Sequence, residues 1–459
     1  MQINFSLTPE DLRSKLSRFW GLSGEKILLI EKEYDPTSGS PVFTAAGKYT
    51  TRGWTEWTQG FQYGSAILQY DATGDEQFLK QGRRNTVDKM APHVSHIGVH
   101  DHGFNNVSTY GSLLRLMHEG KIPDNIWEKN FYELALKISG AVQATRWTPI
   151  KDGGFIHSFN GPHSLFVDTI RSNRALAVSY LLGHDLQTEG DVRINLLHRL
   201  LQHAKATADY SVYYGEGRDS YDTWGRTAHE SVFNTKDGNF RCPNAQQGYT
   251  GFSTWTRGLA WAMCGFAEEL EFLRIIKQEE LEGEADWKQT EHFMLKAARA
   301  TCDFYIKNTP LDGIPYWDTG APNLHKLGDY LGKKADPYND FEPVDSSAAA
   351  IAAQGLLRLG KYLMSNGHQA DGENYWQAGL TVLTHLFDTP YLSTDDLHQG
   401  LILHSIYHQP NGWDYVPEGS KIANGESSMW GDYHAREVAL YMQRILDGGA
   451  YYTFFNGLR

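Results

Sequence analysis

Residues 345–363, DSSAAAIAAQGLLRLGKYL, constrain the fold of this chain more than any other stretch. A cap residue, Asp345 or Ser346, opens a run whose apolar residues follow the helical period, and its small side chains let a helix lie close against neighbours. SNRALAVSYLLG (172–183) repeats the spacing, and WTQGFQYGSAILQYDATGDEQFL (57–79) reads as helix, TGD turn, helix. Such units recur along the chain with polar, Gly-rich connections and no Pro/Ser-rich linker. Twelve helices are expected, near 54–71, 75–90, 105–119, 125–145, 168–184, 190–213, 253–275, 285–307, 346–362, 371–388, 395–407 and 429–446. Paired as six hairpins they predict an all-α fold, an (α/α)6 barrel with an inner ring of helices inside an outer one. Residues 51–459 would form that single domain, with 1–50 as a lead-in packed on it. An open helical solenoid is the competing architecture. Gly-rich aromatic motifs at several helix starts favour the closed form, because they suit residues converging on one place. Short strands are expected near 152–160 and 229–241.

The function classes narrow on charge and cysteine content. A net charge of -13 argues against a nucleic-acid partner, which needs a basic face. The three cysteines, Cys242, Cys264 and Cys302, have neither a disulfide pattern nor zinc spacing and read as free thiols. No apolar run is long enough for a bilayer, so no membrane partner is expected. The opening MQINFSLTPEDLRSKL lacks a basic stretch followed by an apolar core, so no signal peptide is expected. The localisation reading is cytoplasmic or periplasmic, in a bacterium. Aromatics make up 13% of the chain, with 13 Trp and 25 Tyr. Helix packing uses such residues, and so do clefts that stack rings on sugar C–H faces.

Three motifs could carry chemistry. HDHGFNN (100–106) sets His100 and Asp101 just before a helix. LFVDTIRSNRAL (165–176) sets Asp168 at another helix start after apolar residues, where desolvation or a second carboxylate would raise its pKa toward that of a general acid. Capping is the commoner role for each aspartate. In QGYTGFSTWTRGLAWAMCG (247–265), Arg257 and Trp261 are four apart and share a helix face, with Trp255 at its start. An arginine among indoles suits a sugar carboxylate, the guanidinium forking onto its oxygens while the rings cover the apolar face. Weaker pieces are Trp54 and Trp57 in TRGWTEWTQGF, His229 in TAHESVFNTKDGNF, and Trp430 and Asp432 in SSMWGDYHAREVAL. Neither a zinc HExxH nor a nucleotide-binding glycine loop occurs.

Taken in order, WTEWTQGF, HDHGF, FVDTIRSN, QGYTGFSTWTRGLAW, DSSAAAIAA and MWGDYHAREVAL resemble the unsaturated glucuronyl hydrolases, glycoside hydrolase family 88. The resemblance runs from about residue 50 to the C-terminus. It implies an (α/α)6 barrel acting, without metal or organic cofactor, on oligosaccharides whose terminal uronate carries a C4=C5 double bond. Asp168 matches the general acid and base that protonates C4 and assists water attack at C5; the hemiketal then opens and expels the remaining sugar. Asp101 matches its partner carboxylate. Trp57, His229, Gln247, Trp255, Arg257 and Trp261 match substrate-binding positions, Ser427 or Ser428 matches serines near the uronate carboxylate, and His100 beside Asp101 is read as a further substrate-binding residue. The sequence departs from the pattern at His102, where an aliphatic residue is usual. It departs again at Thr169, Ile170 and Arg171, where Asn or Ser and two Met are usual, and at Phe159, which replaces a tryptophan. An ordinary glycosidase, a rhamnogalacturonyl-type unsaturated hydrolase, a sugar epimerase and a non-catalytic glycan-binding protein are the alternatives.

Overall fold

The computed structural model describes residues 1–53, 57–281 and 285–458. It is an (α/α)6 barrel. The helices are α1 (Arg13–Glu33), α2 (Gln59–Thr73), α3 (Glu76–Lys89), α4 (His102–Asn106, continued by a π-helical Val107–Gly111 into Ser112–His118), α5 (Ile126–Thr145) and α6 (Thr169–Ser172, then Arg174–Leu181). They continue with α7 (Leu196–Tyr210), α8 (Thr256–Leu273), α9 (Trp287–Asn308), α10 (Ser346–Ser365), α11 (Gln369–Leu386) and α12 (Met429–Leu446). Even-numbered helices form the inner ring, each packing on the next, and α12 packs back on α2 to close it. Odd-numbered helices lie outside. Burial follows the same division. Every residue of α8 from Thr256 to Leu270 is buried, whereas α5 buries only the face of Tyr132, Leu136, Ser139 and Gln143.

Sequence and structure differ in two helices. The 395–407 segment is not helical: Leu401 N–H and Ile402 N–H donate to the Asp432 carboxylate (2.9 and 2.8 Å), and Ile402 bridges Leu392. The apolar spacing there serves an extended loop pinned to α12. The twelfth ring helix is α1, inside the segment read as a lead-in, where it packs on α2 and α12. Trp54 and the expected start of the 54–71 helix lie outside the described residues. Short antiparallel strands occur where two connections were expected to hold them: Trp147–Ile150 pairs with Gly153–Ile156, and Glu230–Phe233 pairs with Ser164–Phe166 and Phe240–Asn244.

All six inner helices point their N-termini to one end, so the long connections before them gather there. Asp345 caps α10 through the Ser347 N–H (3.1 Å), and Ser428 caps α12 through the Gly431 N–H (3.2 Å). Beneath that end the barrel axis is filled by charge. Arg171 donates to Glu268 and to Glu437 (2.7 Å), and Arg174 to Glu437 (3.2 Å), all buried. No helix among the described residues is long and apolar enough to cross a membrane.

Candidate active site

Two helix starts meet at Gly103. A Cβ on Gly103 would lie 2.1 Å from the Ser172 carbonyl oxygen, so only glycine lets α4 and α6 approach this closely. Ser172 Oγ then stitches the pair, donating to the His100 carbonyl (2.7 Å) and accepting from the Gly103 N–H (3.1 Å). Asp101 and Asp168, on the two strands of chain entering these helices, are thereby brought together. Both stand at N-cap positions, yet neither side chain makes a capping hydrogen bond. The common role of an aspartate at a helix start is therefore not the role of these two.

His100 lies between them. Its Nε2 is 3.1 Å from Asp168 Oδ2 and 3.8 Å from Asp101 Oδ1. One ligand atom from each of the three lies within 4.8 Å of the others, and this is the one His/Asp/Glu/Cys group among the described residues with metal-binding proximity. Burial pushes Asp101 up to about 6, against the pull of His100. Burial also pushes Asp168 up, but the hydrogen bond and charge of His100 outweigh it and leave Asp168 below the usual carboxylate value. Burial lowers His100, but the two carboxylates outweigh it and hold its pKa above the ordinary imidazole value. The raised carboxyl expected at Asp168 is thus found at Asp101. The reason is the imidazole, whose hydrogen bond goes to one acid and not the other. Asp168 Oδ1 is buried without a protein partner.

These residues floor a small, narrow cavity. Its wall includes Trp57, Trp255, Trp261, Gln247 and Phe159, the last stacked against His100 at 6.0 Å. Trp57 is set by stacking on Trp430 (4.9 Å, 24° between planes), whose indole N–H donates to Ser347 Oγ (2.9 Å). His229 packs on Trp255 (4.6 Å) and accepts at Nδ1 from the backbone N–H groups of Gln246 (3.0 Å) and Gln247 (3.2 Å). Its proton therefore resides on Nε2, which is buried and unpartnered, and burial lowers its pKa to about 4, so the ring is a neutral donor.

Two expectations need correction, at Arg257 and at the serine pair. Arg257 is not a free fork. Its Nη1 donates to Asp345 (2.8 Å) and to the Ile406 carbonyl, and its Nη2 to Gln247 Oε1 (2.8 Å) and the Tyr407 carbonyl (2.7 Å). Lying between the rings of Trp255 and Trp430, it lends the cavity charge and holds Gln247 and the 406–407 backbone in place. Ser427 and Ser428 do not line the cavity. Ser427 Oγ donates to the Ile402 carbonyl (2.7 Å), and Ser428 is spent on its cap and on Ser405 Oγ (2.5 Å). His102 faces away from the acids, bonding Ser139 Oγ (3.0 Å) and the His96 carbonyl (2.9 Å).

The sequence reading also missed part of the wall: Phe104, Gln246, Tyr407, His408, Asn411 and Trp413. The last four belong to IYHQPNGWDY (406–415), whose Pro-Asn-Gly marks a turn. Asp414 fixes it, accepting from the Tyr407 N–H (2.6 Å) and the His408 N–H (2.8 Å).

Fold and cleft together define a helical-barrel protein with a small, aromatic-walled, acidic cavity at the N-termini of its inner helices. No family model matches the sequence. Individual proteins do. The chain is 27% identical over 408 residues to the unsaturated glucuronyl hydrolase of Bacillus sp. (strain GL1), covering 89% of this chain and 91% of that protein. It is 25% identical over 409 residues to an unsaturated chondroitin disaccharide hydrolase of Streptococcus pyogenes serotype M1, covering 86% and 84%. A solved UGL variant with dGlcA-Glc-Rha-Glc shares the fold (TM-score 0.69, 23% identity, 98% of this chain and all of that one). The chain is thus similar to unsaturated glucuronyl hydrolases over most of its length.

Proposed function

We propose that this protein is a glycoside hydrolase that removes a terminal 4,5-unsaturated uronate from oligosaccharides released by polysaccharide lyases. The observation that carries the reading is the pair Asp101 and Asp168 sharing one imidazole at the floor of an aromatic cavity, in a chain similar over 89% of its length to a hydrolase of that name. A pair flanking an anomeric carbon, as in ordinary retaining glycosidases, keeps its carboxyls about 5–5.5 Å apart with the sugar between them. Here His100 fills that gap, which favours a single acid/base delivering one proton to an alkene carbon.

In this reading Asp168 is the catalytic acid and base. Resting as a carboxylate, it takes a proton from His100 Nε2 along the 3.1 Å hydrogen bond and passes it to C4. The C4=C5 electron pair forms the new C4–H bond, leaving C5 an oxocarbenium carbon. Water adds at C5, and Asp168 accepts the proton that water gives up. The resulting hemiketal opens and expels the remaining sugar. Asp101 steadies the imidazolium and holds the ring. His229 Nε2–H donates to the sugar, the tryptophans cover its apolar faces, and the charge of Arg257 draws in the carboxylate.

The test is a panel of unsaturated disaccharides prepared with glycosaminoglycan, ulvan and gellan lyases, followed by loss of the enol-ether absorbance. Turnover by wild type and its loss in Asp168→Asn is the expected result. Absence of turnover across the panel, or an active Asp168→Asn, refutes the proposal.

A further inference from the structure

Two neighbouring glutamines on the cavity wall are held by opposite charges. Gln247 gives its amide oxygen to a cation: its Oε1 accepts from Arg257 Nη2 (2.8 Å), which leaves its Nε2 as a donor. Gln246 is held the other way round. Its Nε2 donates to Asn160 Oδ1 (3.2 Å), and Asn160 Nδ2 donates in turn to Glu230 Oε1 (3.2 Å). Glu230 is buried, and two further donors close on its carboxylate, Ser164 Oγ at Oε1 and Asn244 Nδ2 at Oε2 (2.7 Å). A carboxylate only accepts, so it draws the nitrogen of the Asn160 amide toward itself and leaves the Asn160 oxygen for Gln246. The same step repeats at Gln246, whose nitrogen is drawn to that oxygen. Its Oε1 is then the end of the amide with no hydrogen bond among the described residues, on a side chain that lines the cavity. The main chain fixes the root of this side chain, since the Gln246 N–H donates to His229 Nδ1 (3.0 Å).

We propose that Gln246 Oε1 accepts a hydrogen bond from a hydroxyl of the leaving sugar, and that Glu230 is a positioning residue that fixes the direction of this acceptor through Asn160. The inference rests on the functional reading proposed above. The unsaturated ring must bring its C4 to Asp168, which is buried with His100 and Asp101 at the cavity floor. Gln246 and Phe159 also line the cavity but are half-buried, so they stand at its mouth, where the sugar joined through C1 emerges. A sugar hydroxyl both donates and accepts. A donor at Gln247 beside an acceptor at Gln246 meets both halves of that character. A leaving group without a hydroxyl forfeits the bond to Gln246 and leaves the amide oxygen unpaired, and a site built to bond a hydroxyl discriminates against the analogue that lacks it.

Two substrates separate this contact from the chemistry. One is the disaccharide turned over best in the lyase panel; the other is the phenyl glycoside of the same unsaturated uronate, whose leaving group carries no sugar hydroxyl. The quantity read is the ratio of kcat/KM, disaccharide over phenyl glycoside. Gln246→Leu should lower that ratio by about three- to tenfold, the worth of one neutral hydrogen bond, with the change in KM. Glu230→Gln should lower it too, because an amide at 230 offers a donor as well as an acceptor and lets the Asn160 and Gln246 amides flip. A ratio that Gln246→Leu does not move overturns the inference, whether activity holds on both substrates or falls equally on both; an equal fall would make the relay a scaffold for the wall. A Glu230→Gln protein that keeps the wild-type ratio while Gln246→Leu lowers it overturns the role given to Glu230. Failure of wild type to turn over either substrate overturns the functional reading itself, and this inference with it.

Discussion

Replacing His100 by glutamine separates the two things this imidazole does. Glutamine keeps an N–H donor close to where Nε2 lies, but it carries no charge and cannot give up its proton. No hydrogen bond is lost on the other side of the ring, where Nδ1 has no protein partner. In wild type the imidazole stands 3.1 and 3.8 Å from two buried carboxylates, which hold its pKa above the ordinary imidazole value and, on the proposed reading, let it supply a proton to Asp168. His100→Gln removes the cation that outweighs burial at Asp168, so burial then pushes that carboxyl up. The variant can donate a proton only where Asp168 itself is protonated. Two outcomes follow for kcat/KM on an unsaturated disaccharide. The rate at neutral pH falls by about 10²–10⁴, the usual worth of a positioned proton-transfer group, or roughly 3–5 kcal/mol of barrier. The alkaline limb of the profile moves to the acid side, so the deficit shrinks as pH is lowered. A uniform loss at every pH would mean that His100 merely holds the aspartates in place, and an unchanged profile would remove it from the mechanism.

Asp101 offers a stability test. Burial raises its carboxyl to about 6, so its folded form prefers the proton; that contribution is complete below the ordinary value near 4 and is lost as pH rises through about 6. Asp101→Asn should therefore be more stable than wild type at pH 8, by up to roughly 3 kcal/mol, with the gain vanishing below pH 4; urea denaturation at the two pH values reads this, and a variant less stable at pH 8 contradicts it. Arg257→Lys cannot serve four acceptors and leaves buried Asp345 poorly paired. It should lose about 3–5 kcal/mol of stability and raise KM severalfold, whereas a loss under 1 kcal/mol would return Arg257 to the role of a free ligand-binding cation. Glu437→Gln breaks the axial network at the acid shared by Arg171 and Arg174. A similar destabilisation is expected with the pH profile of activity unmoved, and a shifted profile would tie the network to the chemistry.

The barrel was legible because ring helices must be apolar on a wide face, and that period survives in sequence. The exceptions have local causes. In α1 the buried stripe of Leu16, Phe19, Trp20, Ile27 and Ile30 is interrupted by Gly21 and Gly24, weak helix formers that make the segment look like a coil. Gly24 is there because α1 must approach Gln69 and Phe78, where a Cβ would sit 3.1 Å from the Phe78 ring. In 395–407 the apolar spacing is real but answers to Asp432, a buried acceptor 31 residues from Leu401, and no local pattern records so distant a partner. IYHQPNGWDY was passed over for the same reason. Its turn signal was local, while the cleft it faces is built from residues far away in the chain.

At the site, sequence identified residues better than roles. Asp101 and Asp168 could be placed at helix starts, and a cap is what an aspartate there usually is. What separates these two from Asp345, which does cap its helix, is where the carboxylate points, and that is set by the α4–α6 contact at Gly103. Spacing likewise put Arg257 on one face with Trp261. It could not show that two carbonyls, a glutamine and an aspartate from three other segments would already occupy all four terminal N–H directions. A fixed guanidinium has a consequence a free one lacks: it cannot follow the ligand. On the proposed reading, the sugar carboxylate must come to a field already in place, near the neutral His229 ring. Discrimination between uronates, on that same reading, then falls on the cavity's shape and on the loop carrying His408, Asn411 and Trp413, which follows directly on the segment expected to be helical.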